Sequence, residues 1–297
     1  MPGKQLNIII CFLIRLTSSK SFIVKFIKSM NNTDKTTKNN PAAFQKVFPL
    51  RLLKLIKKTV QKVINGQNKA AINIFKAGLL NYFLKFKRKN QFYCNLCKCE
   101  SPNFLHTSNE NRILFNSICP NCSSRKRHRG LNELYKNILT EFDSPKILHF
   151  APEPVFYKLF HPFEYLTADL ELKDVDLQLD IENIDYKNDS FDFILCNHVL
   201  EHVSNDYKAL KELYRILKHH GITIITVPGN WCREQIIEYD YPDGNGHYRD
   251  YGLNFISVLE NIFTVIECID LYKYNDIYHL PIGLTPKHDL AFLCRKN

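Results

Sequence analysis

Acidic residues are almost missing from the first 90 positions, where Asp34 stands alone against 19 Lys or Arg, a local balance of +18. The remaining 207 residues hold 21 basic and 29 acidic groups, or −8, so the overall +10 belongs to the N-terminal third. Long apolar runs are missing as well. Leu6 to Ile14 is apolar over only nine residues, and about 20 are needed to cross a bilayer. Lys4 precedes that run, but no small-residue cleavage site follows it, which argues against a secretory leader. The chain also lacks the cysteine pattern of a disulfide framework. Of its ten cysteines, four form two close pairs and the others are scattered, mostly in apolar segments, which points to reduced thiols and a metal site. The expected location is cytoplasmic, with membrane association through the basic N-terminal region left open. A length of 297 residues is enough for one full α/β core and an appendage.

What is present is clearest from Asn188 to Pro228. Phe191 to Cys196 is a short β-rich run after a polar turn, and Ala209, Leu210, Leu213, Tyr214, Ile216 and Leu217 then recur with helical period. Ser204 with Asp206 suits the start of that helix, Lys218 to His220 its carbonyl end, and Gly221 a left-handed stop. Ile222 to Val227 reads as a second buried strand closed by Pro228. Strand, helix and strand at this spacing predict a right-handed parallel crossover, the unit of a doubly wound α/β sheet.

The wording SFDFILCNHVLEHV, followed by AL, ELYRILK, G and a strand ending in VP, resembles the second half of a class I methyltransferase that uses S-adenosylmethionine (SAM). The likeness is specific over about 40 residues. It implies a Rossmann-like seven-stranded sheet over residues 130–297, with SAM as methyl donor.

Ahead of that domain, residues 1–46 read as disordered, with the polar stretch MNNTDKTTKNNPAA at their end. Residues 47–90 read as two basic amphipathic helices. Leu53, Ile56, Val60 and Val63 form the first stripe, and Ile72, Phe75, Leu79, Phe83 and Phe86 the second, with a break at Asn65-Gly66. Such helices have three readings: a hairpin packed on the main domain, a peripheral membrane anchor, or a nucleic-acid arm, the last not favoured. Residues 91–129 hold Cys94-x-x-Cys97 and Cys119-x-x-Cys122, two knuckles 21 residues apart that suit a four-cysteine zinc ribbon. Cys99 is a spare thiol. The run Arg127-His128-Arg129 then has two readings, a phosphate or RNA contact or pairing with carboxylates of the following domain, and a helix is expected from Leu131 to Phe142.

The zinc knuckles, the RHR element and the strand Ile147-Leu-His-Phe-Ala-Pro-Glu153 together resemble a group of methyltransferases with a Cys-rich N-terminal ribbon, over roughly residues 92–295. In most class I enzymes glycines after the first strand let the backbone approach SAM. This loop has none: Ala151 stands at the first glycine position and Glu153 follows. The resemblance implies donor binding by Ala151 and Glu153, the latter at the α-amino group. It also implies Asp169 at the ribose hydroxyls, Asp180 and Ile181 at the adenine, and Asn197 beside the donor. His198 is the candidate general base for a hydroxyl acceptor. A metal held by His198 and His202 alone is not expected; a buried, hydrogen-bonded His202 is. The insertion after the fifth strand carries His247, Arg249 and Tyr251, which read either as acceptor-orienting groups or as a hydrogen-bond cluster tying lid to core. The last helix is expected from Leu253 to Ile262, and Phe263–Ile269 with Leu290–Cys294 as a final antiparallel pair. The expected function is methyl transfer to a small molecule or glycan precursor, with a zinc-ribbon rRNA methyltransferase or a non-catalytic scaffold as alternatives.

Overall fold

The computed structural model describes residues 50–84, 92–108, 113–271 and 289–297. The expectations for residues 1–46 and for Phe86 lie outside them. Two compact units are present, one reaching to Phe92 and including Glu100–Pro120, the other made of Tyr93–Cys99 and Asn121–Asn297.

In the first unit, α1 (Leu50–Ile64) and α2 (Asn68–Leu84) are joined at Asn65-Gly66, where Gly66 takes φ +74°. A left-handed glycine of this kind ends a helix at little steric cost. Val60, Ala70, Ala71, Phe75 and Ala77 are buried, whereas Ile72 is 46% exposed, so Ile72 is not on the inward stripe expected for it. Among the described side chains of α2, small residues form most of that face, which lets the helix approach its neighbours closely. The hairpin of β1 (Leu105–Ser108) and β2 (Ile113–Ile118) is antiparallel and is held to α2 by Asn81. The Asn81 amide donates to the His106 carbonyl (2.8 Å) and accepts from the His106 N–H (2.6 Å), as a strand neighbour would. Among the described residues no helix is long and apolar enough to cross a membrane.

The second unit is α/β. Its helix α3 (Lys126–Leu139) begins five residues ahead of the expected start and ends three before the expected end. The strands are β3 (Lys146–Phe150), β4 (Glu164–Asp169), β5 (Leu177–Gln178), β6 (Phe191–Asn197) and β7 (Leu217–Thr226), followed later by β10 (Val265–Asp270) and β11 (Leu290–Arg295). They form a seven-stranded sheet in the order β10-β11-β7-β6-β3-β4-β5. The pairs β3·β4, β3·β6, β4·β5 and β6·β7 are parallel, and β11 runs antiparallel to both neighbours. Alternate strand residues supply two cores. Leu148, Phe150, Ile194 and Ile225 pack with α4 (Asp206–Ile216) and α5 (Phe255–Glu260), while Ile147, Phe193, Leu195 and Ile224 pack with α3. Each such side chain, fully buried, contributes about 1.5–3 kcal/mol.

The ends of α4 differ from expectation. Its cap is Asn205, whose side chain accepts from the Lys208 N–H (2.9 Å), rather than Ser204 or Asp206. The left-handed residue is His220 (φ +62°), not Gly221, and Leu217 to His220 already belong to β7. Glycine is needed at 221 for another reason. A Cβ there would lie 2.8 Å from both the Leu217 side chain and the Lys218 carbonyl oxygen.

Candidate functional site

Because β3 to β7 are parallel, their carboxyl ends share one edge of the sheet, where open α/β sheets place ligands. The loop after β3 arrives there with Ala151 at φ +47°, its N–H bonded to the Ala168 carbonyl (2.9 Å). A left-handed alanine costs roughly 1–2 kcal/mol, so the turn that glycine usually makes is formed here against a steric penalty.

Glu153 is turned inward. Arg127 donates to its Oε1 (2.8 Å) and Asn197 to its Oε2 (3.2 Å); His128 Nε2 lies 2.8 Å from Oε1 but off the line of a hydrogen bond. Burial works to raise the Glu153 pKa, yet the His128 contact and the Arg127 charge outweigh it and hold it at about 2. Burial holds His128 below its ordinary range, so we assign the charge opposite Glu153 to Arg127. Arg129 is buried and donates to the Ser124 carbonyl (2.8 Å). Arg127 and His128 thus meet a carboxylate of the following domain, Glu153, whereas the Arg129 donor shown goes to a backbone carbonyl. His149, fully buried on β3, meets Tyr165 Oη through Nδ1 (2.9 Å), and burial lowers its pKa to about 4.

Asp169 ends β4, with Oδ1 accepting from the Glu171 and Leu172 N–H groups (2.8 and 2.9 Å). Asp180 is exposed and caps the next turn through the Glu182 N–H (2.9 Å). Ile181, placed against an adenine ring by the resemblance, instead is buried in the core with Leu148 and Phe150. Asn197 is also interior, beside Tyr135 Oη (2.8 Å from its Nδ2), Glu153 and Thr226.

Beyond β6 the chain turns sharply at His198 (φ +53°), whose N–H bonds the Thr226 carbonyl (2.8 Å) and whose Nδ1 lies 3.2 Å from Glu201 Oε1. His202 is hydrogen-bonded as expected, to the Gly246 carbonyl (3.0 Å), but it is half exposed rather than buried. The lid strands β8 (Ile237–Glu238) and β9 (Arg249–Asp250) pair antiparallel. Arg249 is buried and donates to the carbonyls of Leu200, Val203 and Ser204 and to Glu238; Tyr251 is buried and donates to Asp206 (2.9 Å). Both tie lid to core and neither faces outward to orient an acceptor, because their polar atoms are already committed inside the protein. His247, half-buried, faces the ring of His202, with centroids 4.8 Å apart. Glu201 is the residue that the motif reading passed over, although its place between two histidines in His198-Val-Leu-Glu201-His202 marks it.

The sulfurs of Cys94, Cys97, Cys119 and Cys122 all lie within 4.8 Å of one another, with Cys94 and Cys122 3.7 Å apart. Four thiolates on one tetrahedral Zn²⁺ at about 2.3 Å stand roughly 3.8 Å apart, so the donor set fits that ion. Lys98 and Ser123, at φ +60° and +61°, make the tight turns that bring the knuckles round.

Residues 162–225 match the family described as a methyltransferase domain. The match starts just before β4 and ends within β7, so it takes in Asp169, Asp180, Asn197, His198, Glu201 and His202, and it supports an enzyme role. An uncharacterized protein of Methanocaldococcus jannaschii is 38% identical over 80 residues, 24% of this chain and 35% of that protein. A tRNA U34 carboxymethyltransferase of Sulfurimonas denitrificans is 32% identical over 97 residues, 32% of each chain. The chain thus spans about a third of the length of these curated relatives. Among solved structures, a SAM-dependent methyltransferase from Archaeoglobus fulgidus shares 13% identity, covering 57% of this chain and 94% of its own, with a TM-score of 0.41.

Proposed function

We propose that the protein is a SAM-dependent methyltransferase acting on a small molecule or a glycan precursor. The observation that carries this reading is the convergence, on one carboxyl edge, of the Ala151 turn, Asp169 and His198, the last two within the methyltransferase-matched segment. Bound SAM would supply an electrophilic methyl carbon on its sulfonium, open to in-line attack by an acceptor lone pair with S-adenosylhomocysteine as the leaving group, so the protein mainly orients the donor and keeps the pocket dry. Asp169 would hold the ribose hydroxyls, while its Oδ1 serves its own turn. Asp180, exposed at the next turn, takes the adenine amine. Ala151 offers backbone, while Glu153 and Asn197 hold the loop in shape from beneath. His198, oriented by Glu201, receives the proton of a hydroxyl acceptor. Zn²⁺ in the four-cysteine cluster is structural, a closed site that does no chemistry.

Arg127 and Arg129 are bonded within the protein, which weighs against the RNA acceptor that the RHR run suggested. Calorimetric titration with SAM tests the proposal. The wild type binds, and Asp169→Ala weakens binding about ten- to a hundredfold, as loss of charged hydrogen bonds of roughly 1.5–3 kcal/mol requires. Absence of binding by the folded wild type would give the chain to a non-catalytic scaffold. Unchanged affinity in the variant would remove Asp169 from the site.

A further inference from the structure

We propose that Glu201, His202 and His247 form a binding site for a divalent transition cation, separate from the cysteine cluster. A carboxylate oxygen of Glu201 and one ring nitrogen from each histidine all lie within 4.8 Å of one another. Two independent details of the site point to a cation. The His202 Nδ1 lies 3.0 Å from the Gly246 carbonyl, and a carbonyl only accepts, so Nδ1 carries a proton and Nε2 is the ring nitrogen left for a cation. That Nε2 is 4.0 Å from Glu201 Oε1. Metal-bound histidines characteristically donate their other N–H to a backbone carbonyl in this way. The second detail is Glu201 itself, whose side chain is 1% exposed and whose Oε2 has no hydrogen-bond partner. Its other oxygen is 3.2 Å from His198. A buried carboxylate with only one of its oxygens partnered is costly, and a cation beside it would offset that cost.

The backbone prepares the same geometry. Glu201 and His202 lie on a short 3-10 turn (Leu200–His202) after β6, and the Glu201 carbonyl accepts from the Tyr248 N–H (2.7 Å), which places His247 opposite. Ligand bonds of about 2.0–2.2 Å put ligand atoms roughly 3–4 Å apart, so closing the triad needs only small side-chain movement, and His202 is half exposed. Two imidazoles and one carboxylate suit Zn²⁺, Mn²⁺, Fe²⁺ or Co²⁺. Three protein ligands leave positions open, the arrangement of a catalytic rather than a structural metal. Resting on the methyltransferase reading, those positions would hold the oxygen of the methyl acceptor beside His198.

The probe is Co²⁺ added to full-length protein whose cysteine cluster is already loaded with Zn²⁺, with no SAM present, followed by visible absorption. Nitrogen and oxygen ligands give weak d–d bands without the intense thiolate charge-transfer bands of a cysteine site. The expected result is one equivalent bound without thiolate bands, and an affinity lower by about tenfold or more in His202→Gln and in His247→Gln. Thermal melts verify that each variant is folded. A folded wild type that takes up no Co²⁺ outside the thiolate cluster overturns the proposal, as does unchanged affinity in a folded variant of either histidine. Co²⁺ binding in a protein that fails to bind SAM would leave this site standing and remove the methyltransferase reading, so the two failures are distinguishable.

Discussion

Replacing Glu153 by glutamine removes the charge on which the loop after β3 closes while leaving its shape. The carboxylate meets Arg127 at 2.8 Å and Asn197 at 3.2 Å, and its pKa is held at about 2 against an ordinary 4.5. At about 1.4 kcal/mol per tenfold change in proton affinity, that difference corresponds to an upper bound of roughly 3 kcal/mol of stability at pH 7, because the contact with His128, whose own pKa burial lowers, supplies the largest part of the depression. Arg127 is one-fifth exposed, and solvent screening reduces the expected loss to about 2–3 kcal/mol. The sign follows from linkage: a carboxylate with a depressed folded pKa stabilises above its unfolded pKa and loses that stabilisation as pH falls toward 2. The gap between wild type and Glu153→Gln should thus shrink to roughly half by pH 3. Urea unfolding at pH 7 and pH 3, followed by circular dichroism, measures both values. A gap under about 1 kcal/mol at pH 7, or one that does not change with pH, would refute this account of the loop.

Three further outcomes are expected. Ala151→Gly should keep or slightly raise the melting temperature, because relief of roughly 1–2 kcal/mol of left-handed strain offsets the about 0.5–1 kcal/mol that glycine costs in the unfolded chain; a loss above about 1 kcal/mol would show that the alanine side chain contributes packing. His149, with a folded pKa near 4 against an ordinary 6.5, stabilises fully above pH 6.5 and loses that contribution as pH falls through 4. His149→Phe should therefore flatten the stability profile between those values, and an unchanged profile would mean that another group sets it. Changing both Cys94 and Cys119 to serine should abolish one thiolate-bound Zn²⁺ per chain, measured by metal analysis with thiol titration, and a folded, thiol-metal-free wild type would contradict the zinc assignment.

The sequence by itself determined the elements whose signals are local. The β-rich run and the helical period place β6 and the body of α4 closely, and the end of β7 though not its start, because an apolar side chain buried on a given face has a fixed spacing whatever lies opposite. Paired CxxC knuckles announce a four-thiol cluster for the same reason: the turn chemistry is contained in a few consecutive residues. Asp169, which the resemblance implied at the ribose hydroxyls, is the last residue of β4. Orientation was not legible. Nothing in the RHR run says whether its cations meet phosphate or Glu153, 26 positions away, and only the packing of α3 against the loop after β3 decides it. Arg249 and Tyr251 carry the chemistry of an acceptor site, yet the fold of the lid turns their donors onto Leu200, Val203, Ser204 and Asp206. Gly221 reads as a left-handed stop in sequence, while the close approach of Leu217 is what requires it. Glu201 gains its meaning only when His247, far along the chain on the approach to β9, comes beside it. Local hydrogen bonding and periodicity are properties of a short stretch of chain, whereas the partner of a charged side chain is chosen by which distant element buries it.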